Sequence, residues 1–145
     1  MSSLIEVGQV LSLRIYFNTS RLVSKDKHPY LVVKVDEELS VVEIAQLDSL
    51  TAEKRYKAAF ESNKVIKNSN PVETVIDRDS FVQMDNKFTV DLFQGLVNYR
   101  RQPDKLSNVK LQMILEAYEH YQETHVIDEA KIVHITESEL VVLNS

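Results

Sequence analysis

Polar and apolar side chains alternate along the first part of the chain. In QVLSLRIYF, residues 9–17, every second residue is large and apolar: Leu11, Leu13, Ile15 and Phe17. A period of two is typical of a strand that buries one face. Pro29 then biases His28 toward extended backbone and opens a second strand, YLVVKV. LSVVEIAQL (39–47) predicts a third strand, joined to the second through DEE as a short hairpin connection.

The segment after the third strand changes character. Thr51 is the expected N-cap of a short helix within residues 51–70, which buries Tyr56, Ala59 and Phe60. Three brief strands separated by turn residues are expected next: VETVI (72–76), SFVQM (80–84) and KFTVD (87–91).

The hydrophobic period switches near Leu106. From there to Tyr121, apolar residues recur at the three-and-four spacing of an amphipathic helix, with Ser107 as its N-cap. LFQGLVNY, just before, adds a helical turn, and AKIVHI with ELVVLN predicts a terminal hairpin. Strands followed by a helix favour an α+β, mainly β fold. We expect a small, strongly bent antiparallel barrel with helices on one side.

Composition narrows the class of protein. The 145 residues suit one domain, 1–145, and 43% hydrophobic with 27% charged residues is ordinary for a globular chain. The chain has no cysteine, which excludes disulfides and thiolate metal sites and fits a reducing cytoplasm. No apolar run approaches the roughly 18–20 residues that cross a bilayer, and the first residues do not resemble a secretion signal. We therefore expect a cytoplasmic protein without a membrane partner.

Charge is distributed unevenly. The net charge is −5, but residues 111–145 carry −6 and residues 1–110 carry +1. Residues 14–34 and 54–67 are basic patches of +4 each. Such patches are either solvated loop faces, which is the commoner case, or sites for an anionic partner such as a nucleic acid.

Four segments resemble the MazF/PemK family of toxin endoribonucleases, which are small SH3-like barrels. VGQVLSLRIYF resembles the family's opening glycine and first strand, and KHPYLVVKV resembles its Arg-Pro-x-Leu-Val-Val element. VVEIAQLDS resembles its third strand, and DSFVQMDNKFTVD resembles its late Asp-Ser-x-Val strands. The helix from Leu106 occupies the place of the family's C-terminal helix. ToxN-like nucleases are more distant relatives with longer insertions, as here at 51–70. The acidic extension 125–145 has no counterpart in the family.

The resemblance implies a toxin of a toxin–antitoxin system that cleaves single-stranded RNA without a metal or other cofactor. It also implies a homodimer that is neutralised by a cognate antitoxin peptide. His28 stands where the family has its catalytic arginine, and Asp48 stands where it has its catalytic threonine, with Ser49 directly after.

Metal-free RNA cleavage needs a base, an acid and positive charge near the phosphate. A histidine serves as either base or acid near neutral pH, and Asp48 would orient and charge His28, or Ser49 would supply a hydroxyl. The expected RNA-binding cations lie in the two basic patches: Arg21, Lys25, Lys27, Lys54 and Arg55. The alternative is that His28 is only a partly exposed turn residue before a proline.

Other residue patterns give weaker evidence for a functional site. Glu116, His120 and His125 lie close along the helix, but two or three ligands without a fourth indicate a solvated face, so we expect no metal. Aromatic residues of the strands either stack on bases or fill the core, and the stripe from Leu106 to Tyr121 is core or a dimer contact. Two rivals to the nuclease remain. One is a degenerate barrel that binds RNA or protein, and the other is a structural or regulatory partner whose acidic helix mediates assembly.

Overall fold

A computed structural model describes residues 5–145. In this range seven strands and two α-helices form a mainly β, α+β fold with three short 3₁₀ helices. The strands are β1 (Val10–Leu13), β2 (His28–Asp36), β3 (Val41–Ser49), β4 (Asn63–Ile66), β5 (Ser80–Gln83), β6 (Lys87–Asp91) and β7 (Ile132–Ile135). The helices are α1 (Asn108–Thr124) and α2 (Glu137–Leu143), and the 3₁₀ helices are Ala52–Ala59, Gln94–Tyr99 and Glu129–Lys131.

Strand β3 is the centre of the sheet. Strand β2 pairs with one of its edges as the predicted hairpin, from Tyr30↔Gln46 to Asp36↔Val41. The other edge pairs first with β6 and then, from Leu47 onward, with β5. Strands β5 and β6 are thus two halves of one bent strand, and residues 84–86 bulge between them. Such a bulge bends a strand and turns neighbouring side chains in new directions.

Both faces of this sheet are covered. Along β2, Tyr30 and Val32 point into one hydrophobic cluster, and Leu31 and Val33 point into another. The first cluster lies between β1, β3, β6, β7 and α2, and the second lies beneath α1. Burial on both faces explains why β2 is a continuous apolar run instead of an alternating one.

The described ladders do not close into a barrel, and one of them is parallel. Strand β7 pairs with β6 from Lys87↔Ile132 to Val90↔Ile135. The predicted terminal hairpin is therefore wrong, since residues 137–143 form α2. A capping box begins this helix: the Thr136 hydroxyl accepts from the Glu139 amide, and the Glu139 carboxylate accepts from the Thr136 amide. At its end, the side-chain amide of Asn144 exchanges two hydrogen bonds with the backbone of Arg14.

The segment 51–79 differs most from expectation. The helix after Thr51 is a 3₁₀ helix that buries none of its residues, and the predicted burial of Tyr56, Ala59 and Phe60 is wrong. Tyr56 and Phe60 are 62% and 48% exposed. Strand β4 was not expected. Residues 72–76 form no strand.

A buried lysine fixes this segment to α1. The ammonium group of Lys110 donates to the carbonyls of Lys67, Ser69 and Pro71 at 2.5, 2.9 and 2.6 Å. Glu73 is also buried, and its carboxylate accepts from the amide of Ser107 at 2.7 Å. The irregular segment is thereby held on the N-terminus of α1.

Helix α1 is present as predicted, but its buried face does not include every apolar residue of the stripe from Leu106 to Tyr121. Leu111, Ile114 and Tyr118 are buried with Lys110, whereas Val109 and Met113 are 68% and 48% exposed. No helix in residues 5–145 is both long enough and apolar enough to cross a bilayer.

Candidate functional site

His28 is the first residue of β2, opposite Leu13 of β1. Pro29 keeps this end of the strand extended. The side chain is half-buried and lines a cleft of about 530 Å³. Alternation along β2 places His28 on the same face as Tyr30, which lines the same cleft.

The cleft lies where four segments meet. Tyr30 and Gln46, which face each other across β2 and β3, form its floor with Phe88. The other walls come from the loop before β2, from the bulge between β5 and β6, and from the C-terminal extension: Phe17, Asn18, Ser24, Gln83, Asp85, Asn86, Asp128, Ala130 and Lys131.

Four polar side chains of the cleft are unpaired. Within residues 5–145, the imidazole of His28, the hydroxyl of Tyr30 and the carboxamides of Gln46 and Gln83 have no hydrogen-bond partner. Tyr30 is only 2% exposed, and burial raises the pKa of its hydroxyl, which is therefore a neutral donor. The cleft offers several hydrogen-bonding groups to a ligand.

Asp48 lies near the end of β3, on the same strand face as Gln46. The β2–β3 ladder ends at Tyr30↔Gln46, two residues short of the level that His28 and Asp48 would share. The Asp48 carboxylate accepts from the Lys54 ammonium at 2.8 Å and from the Ser49 amide at 2.9 Å. No hydrogen bond or ion pair within the described residues joins it to His28. Its negative charge is balanced by Lys54.

Ser49 follows on the opposite face of β3, where it pairs with Ser80 of β5. One residue along a strand reverses the direction of the side chain. Ser49 is therefore not brought into the cleft with His28.

None of the five expected RNA-binding cations lines the cleft. Arg21 is exposed and pairs with Glu139 at 3.0 Å, and the Lys27 ammonium lies 5.9 Å from the centre of the Tyr99 ring. Lys25 and Arg55 are exposed, and Lys54 holds Asp48. The charged groups inside the cleft are Asp128 and the ion pair between Asp85 and Lys131, 3.1 Å apart. The cleft is thus less basic than the sequence predicts.

The remaining histidines are engaged elsewhere or exposed. His125 stacks on Tyr121, with ring centres 3.9 Å apart, and lies 3.1 Å from the Glu61 carboxylate. His120 is exposed, and Glu116 accepts a hydrogen bond from Gln112. In the part of the chain that the structure describes, no group of three or more His, Cys, Asp or Glu residues is arranged to hold a metal ion.

His134 of β7 bridges two side chains of β6. Its Nδ1 lies 2.8 Å from the Thr89 hydroxyl, and its Nε2 lies 2.9 Å from the Asp91 carboxylate. Asp91 also accepts from the amide of Glu137 at 2.7 Å. Because this cluster lies at the start of α2 and does not line the cleft, its evident task is to join β6, β7 and α2.

No protein-family model matches the chain, and no curated protein shows significant similarity to it.

Proposed function

We propose that the protein is a MazF/PemK-like toxin that cleaves single-stranded RNA without a metal, with His28 as its acid–base residue. The observation that carries this proposal is the half-buried, unpaired imidazole of His28 in a cleft of about 530 Å³. A proton-transfer group must reach its substrate, and an imidazole without an internal partner is free to do so.

In the proposed step, the 2′-hydroxyl of the substrate attacks the adjacent phosphorus while neutral His28 accepts its proton. The bond from phosphorus to the 5′-oxygen breaks, and that oxygen takes a proton from a solvent water. Protonated His28 then returns its proton to the hydroxide that this water leaves behind. The products are a 2′,3′-cyclic phosphate and a 5′-hydroxyl. General base catalysis of this kind contributes about 10²- to 10⁴-fold.

The fold supports the proposal through its connections. After the 3₁₀ helix Gln94–Tyr99, Arg100 forms an antiparallel bridge with Leu11, and the Arg101 amide donates to the Val10 carbonyl at 2.8 Å. The chain thus returns to β1 from β6, as the closing turn of an SH3-like barrel does. We take the sheet, curled around β3, to be a divergent barrel of this type.

The cations support phosphate binding outside the cleft. Lys25 and Lys27 are exposed on the loop between Ser24 and His28, which both line the cleft. With Arg21 they would hold the RNA backbone as it passes, and Lys54 and Arg55 would extend this path at the end of β3. The proposed state is a cytoplasmic homodimer that an antitoxin peptide neutralises.

The test is incubation of purified protein with single-stranded RNA in the presence of a chelator. His28→Ala should lower the cleavage rate about 10²-fold or more, because the base is lost. His120→Ala, at an exposed histidine of α1, is the matched control and should cleave at the wild-type rate. Absence of cleavage by the wild type, or equal rates for the two variants, would eliminate the nuclease.

A second candidate is a binding module that has lost cleavage. The ion pair between Asp48 and Lys54 favours it, because the carboxylate stands where the family has a reactive hydroxyl. RNA binding that weakens with added salt, without any product, would select this function.

A further inference from the structure

We propose that the cleft beside His28 binds one nucleobase of a single-stranded RNA, with the phosphates held on the loop outside it. The identity of the strand rests on the proposed function. The inference adds a separate task for the cleft, which is to recognise the base.

The first argument is the set of unpaired groups. Tyr30 is buried and lines the cleft, yet its hydroxyl has no partner within residues 5–145. The hydroxyl is therefore available to donate a hydrogen bond to an acceptor on a bound ligand. Gln46 and Gln83 add two free carboxamides, and each carries both a donor and an acceptor. Carboxamides pair with two neighbouring positions on the edge of a base.

The second argument is charge. Lys131 is already paired with Asp85 at 3.1 Å, and Asp128 accepts from the Ala130 amide at 3.0 Å. With neutral His28, the groups that line the cleft carry one net negative charge. A phosphate would be repelled from the part of the cleft beside Asp85 and Asp128, whereas a neutral planar ring with several donors and acceptors would not. Lys25 and Lys27, which form no ion pair within the described residues, lie outside on the adjoining loop, where a phosphate backbone would pass.

The third argument is the aromatic wall. Phe17 is 38% exposed and lines the cleft, although apolar side chains of this size are usually buried. Every base has an aromatic face, so any base can stack on an aromatic ring and gain affinity from it. Stacking on Phe17 would thus supply affinity, and the carboxamides would supply the choice of base.

The C-terminal extension completes the site. Asp128, Ala130 and Lys131 form one wall of the cleft, and the Thr19 amide donates to the Ala130 carbonyl at 2.9 Å. This bond fixes the extension against the loop that carries Phe17. The acidic extension thereby gains a role that its charge alone does not suggest.

The experiment measures fluorescence anisotropy of labelled 2′-O-methyl RNA strands of about ten nucleotides, the usual span of such a site. These strands lack the attacking hydroxyl and stay intact. The probes are homopolymers of U, C and A and an abasic strand of equal length, which has phosphates without bases. We expect one or more homopolymers to bind about 10-fold tighter than the abasic strand.

Two variants locate the preference. Gln83→Leu and Tyr30→Phe should each weaken binding of the preferred homopolymer about 5-fold or more, without weakening binding of the abasic strand. Gln94→Leu, at an exposed glutamine that does not line the cleft, is the control. Tyr30→Phe removes one oxygen without an internal partner, so this variant keeps the fold, as thermal unfolding would verify. Equal binding of all strands, no binding, or variants that bind like the control would overturn the proposal.

The outcomes also separate the two proposals. Base-selective binding by a wild-type protein that cleaves nothing would retain the base site and remove the nuclease. Cleavage of RNA by a wild-type protein that binds all strands equally would retain the nuclease and remove the base site.

Discussion

The ammonium group of Lys110 lies 3.4 Å from the carboxylate of Glu73, although the two residues are 9% and 5% exposed. The carboxylate oxygen that faces Lys110 accepts no hydrogen bond. The attraction between the two charges, together with three carbonyls around Lys110, therefore compensates for the removal of both groups from water. This pair joins the irregular segment 67–73 to α1.

Lys110→Met should lower the free energy of unfolding by about 3–5 kcal/mol, because it leaves Glu73 buried without its counter-charge. Denaturant titration measures the change. Lys105→Met is the control, since Lys105 is exposed and 3.7 Å from Glu6, and it should cost no more than about 1 kcal/mol. Equal losses for the two variants would mean that the buried pair does not hold the segment.

Gly8→Ala should also destabilise the protein. Gly8 has a φ of 98°, and an added Cβ would lie 2.9 Å from Leu111 Cδ2 and 3.2 Å from Lys105 Cβ. Backbone strain of this kind costs about 1–3 kcal/mol, before any cost of the close contacts. Gly95→Ala is the comparison, because Gly95 has no positive φ and its nearest contact is the Phe93 ring. Thermal melting should give a clearly lower Tm for Gly8→Ala than for Gly95→Ala. The opposite order would contradict the strain assigned to Gly8.

Acid should weaken the capping box of α2. The hydrogen bond from the Thr136 amide is the largest cause that lowers the pKa of Glu139 below its usual value of 4.5, and the Thr136 hydroxyl and Arg21 lower it further. A depressed pKa in the folded state gives stability that is present above the usual value and is lost as pH falls through the folded one. Glu139→Gln should therefore be less stable than the wild type near pH 7, and the difference should shrink toward about pH 3.

Denaturant titrations at the two pH values measure this effect. Glu137→Gln is the control, because Glu137 is in the same turn and its exposed side chain makes no hydrogen bond in the described structure. A wild-type advantage over Glu139→Gln that persists undiminished in acid would refute the assignment.

Asp48→Asn should strengthen the proposed RNA binding. The substitution removes a negative charge and frees Lys54, whose ammonium is 2.8 Å from Asp48. If Lys54 then contacts one more phosphate, the slope of log affinity against log salt should steepen by about 0.7. Asp77→Asn, at an exposed carboxylate 3.6 Å from Arg78, is the control. An unchanged slope would show that Lys54 does not reach the strand.

Short-range patterns in the sequence predict the strands and helices that interactions between neighbouring residues determine. The hairpin of β2 and β3 follows from two apolar segments separated by the short polar connection DEE, and the helix from Asn108 follows from a hydrophobic period of about 3.6. The sequence TESE at 136–139 also contains the pattern of a capping box, which indicates a helix. The β-branched residues after it favour a strand instead, so the sequence alone predicts a hairpin here. A helix signal was thus outweighed by β propensity, which depends strongly on context.

Pairings between distant residues could not be read in this way. VETVI alternates like a strand, yet Glu73 is held inside by Lys110, which is 37 positions away along the chain. The candidate site also depends on pairings between residues that are distant along the chain. His28 and Tyr30 follow from one strand, but the positions of Gln46 and Gln83 around the cleft depend on a bulge of three residues between β5 and β6. No hydrophobic period encodes the size of that bulge.

The pair of hydrogen bonds between Asn144 and the backbone of Arg14 spans 130 positions of the chain. During synthesis on a ribosome, Arg14, which directly follows the first strand, emerges long before the residue that pairs with its backbone groups. Strand β7, which lies beside β6, emerges almost as late. The edge of β6 that β7 covers thus stays open until residues 132–135 have been made, and open edges recruit other strands. Cotranslational chaperones would therefore be expected to act on this protein until residues 132–144 have left the exit tunnel.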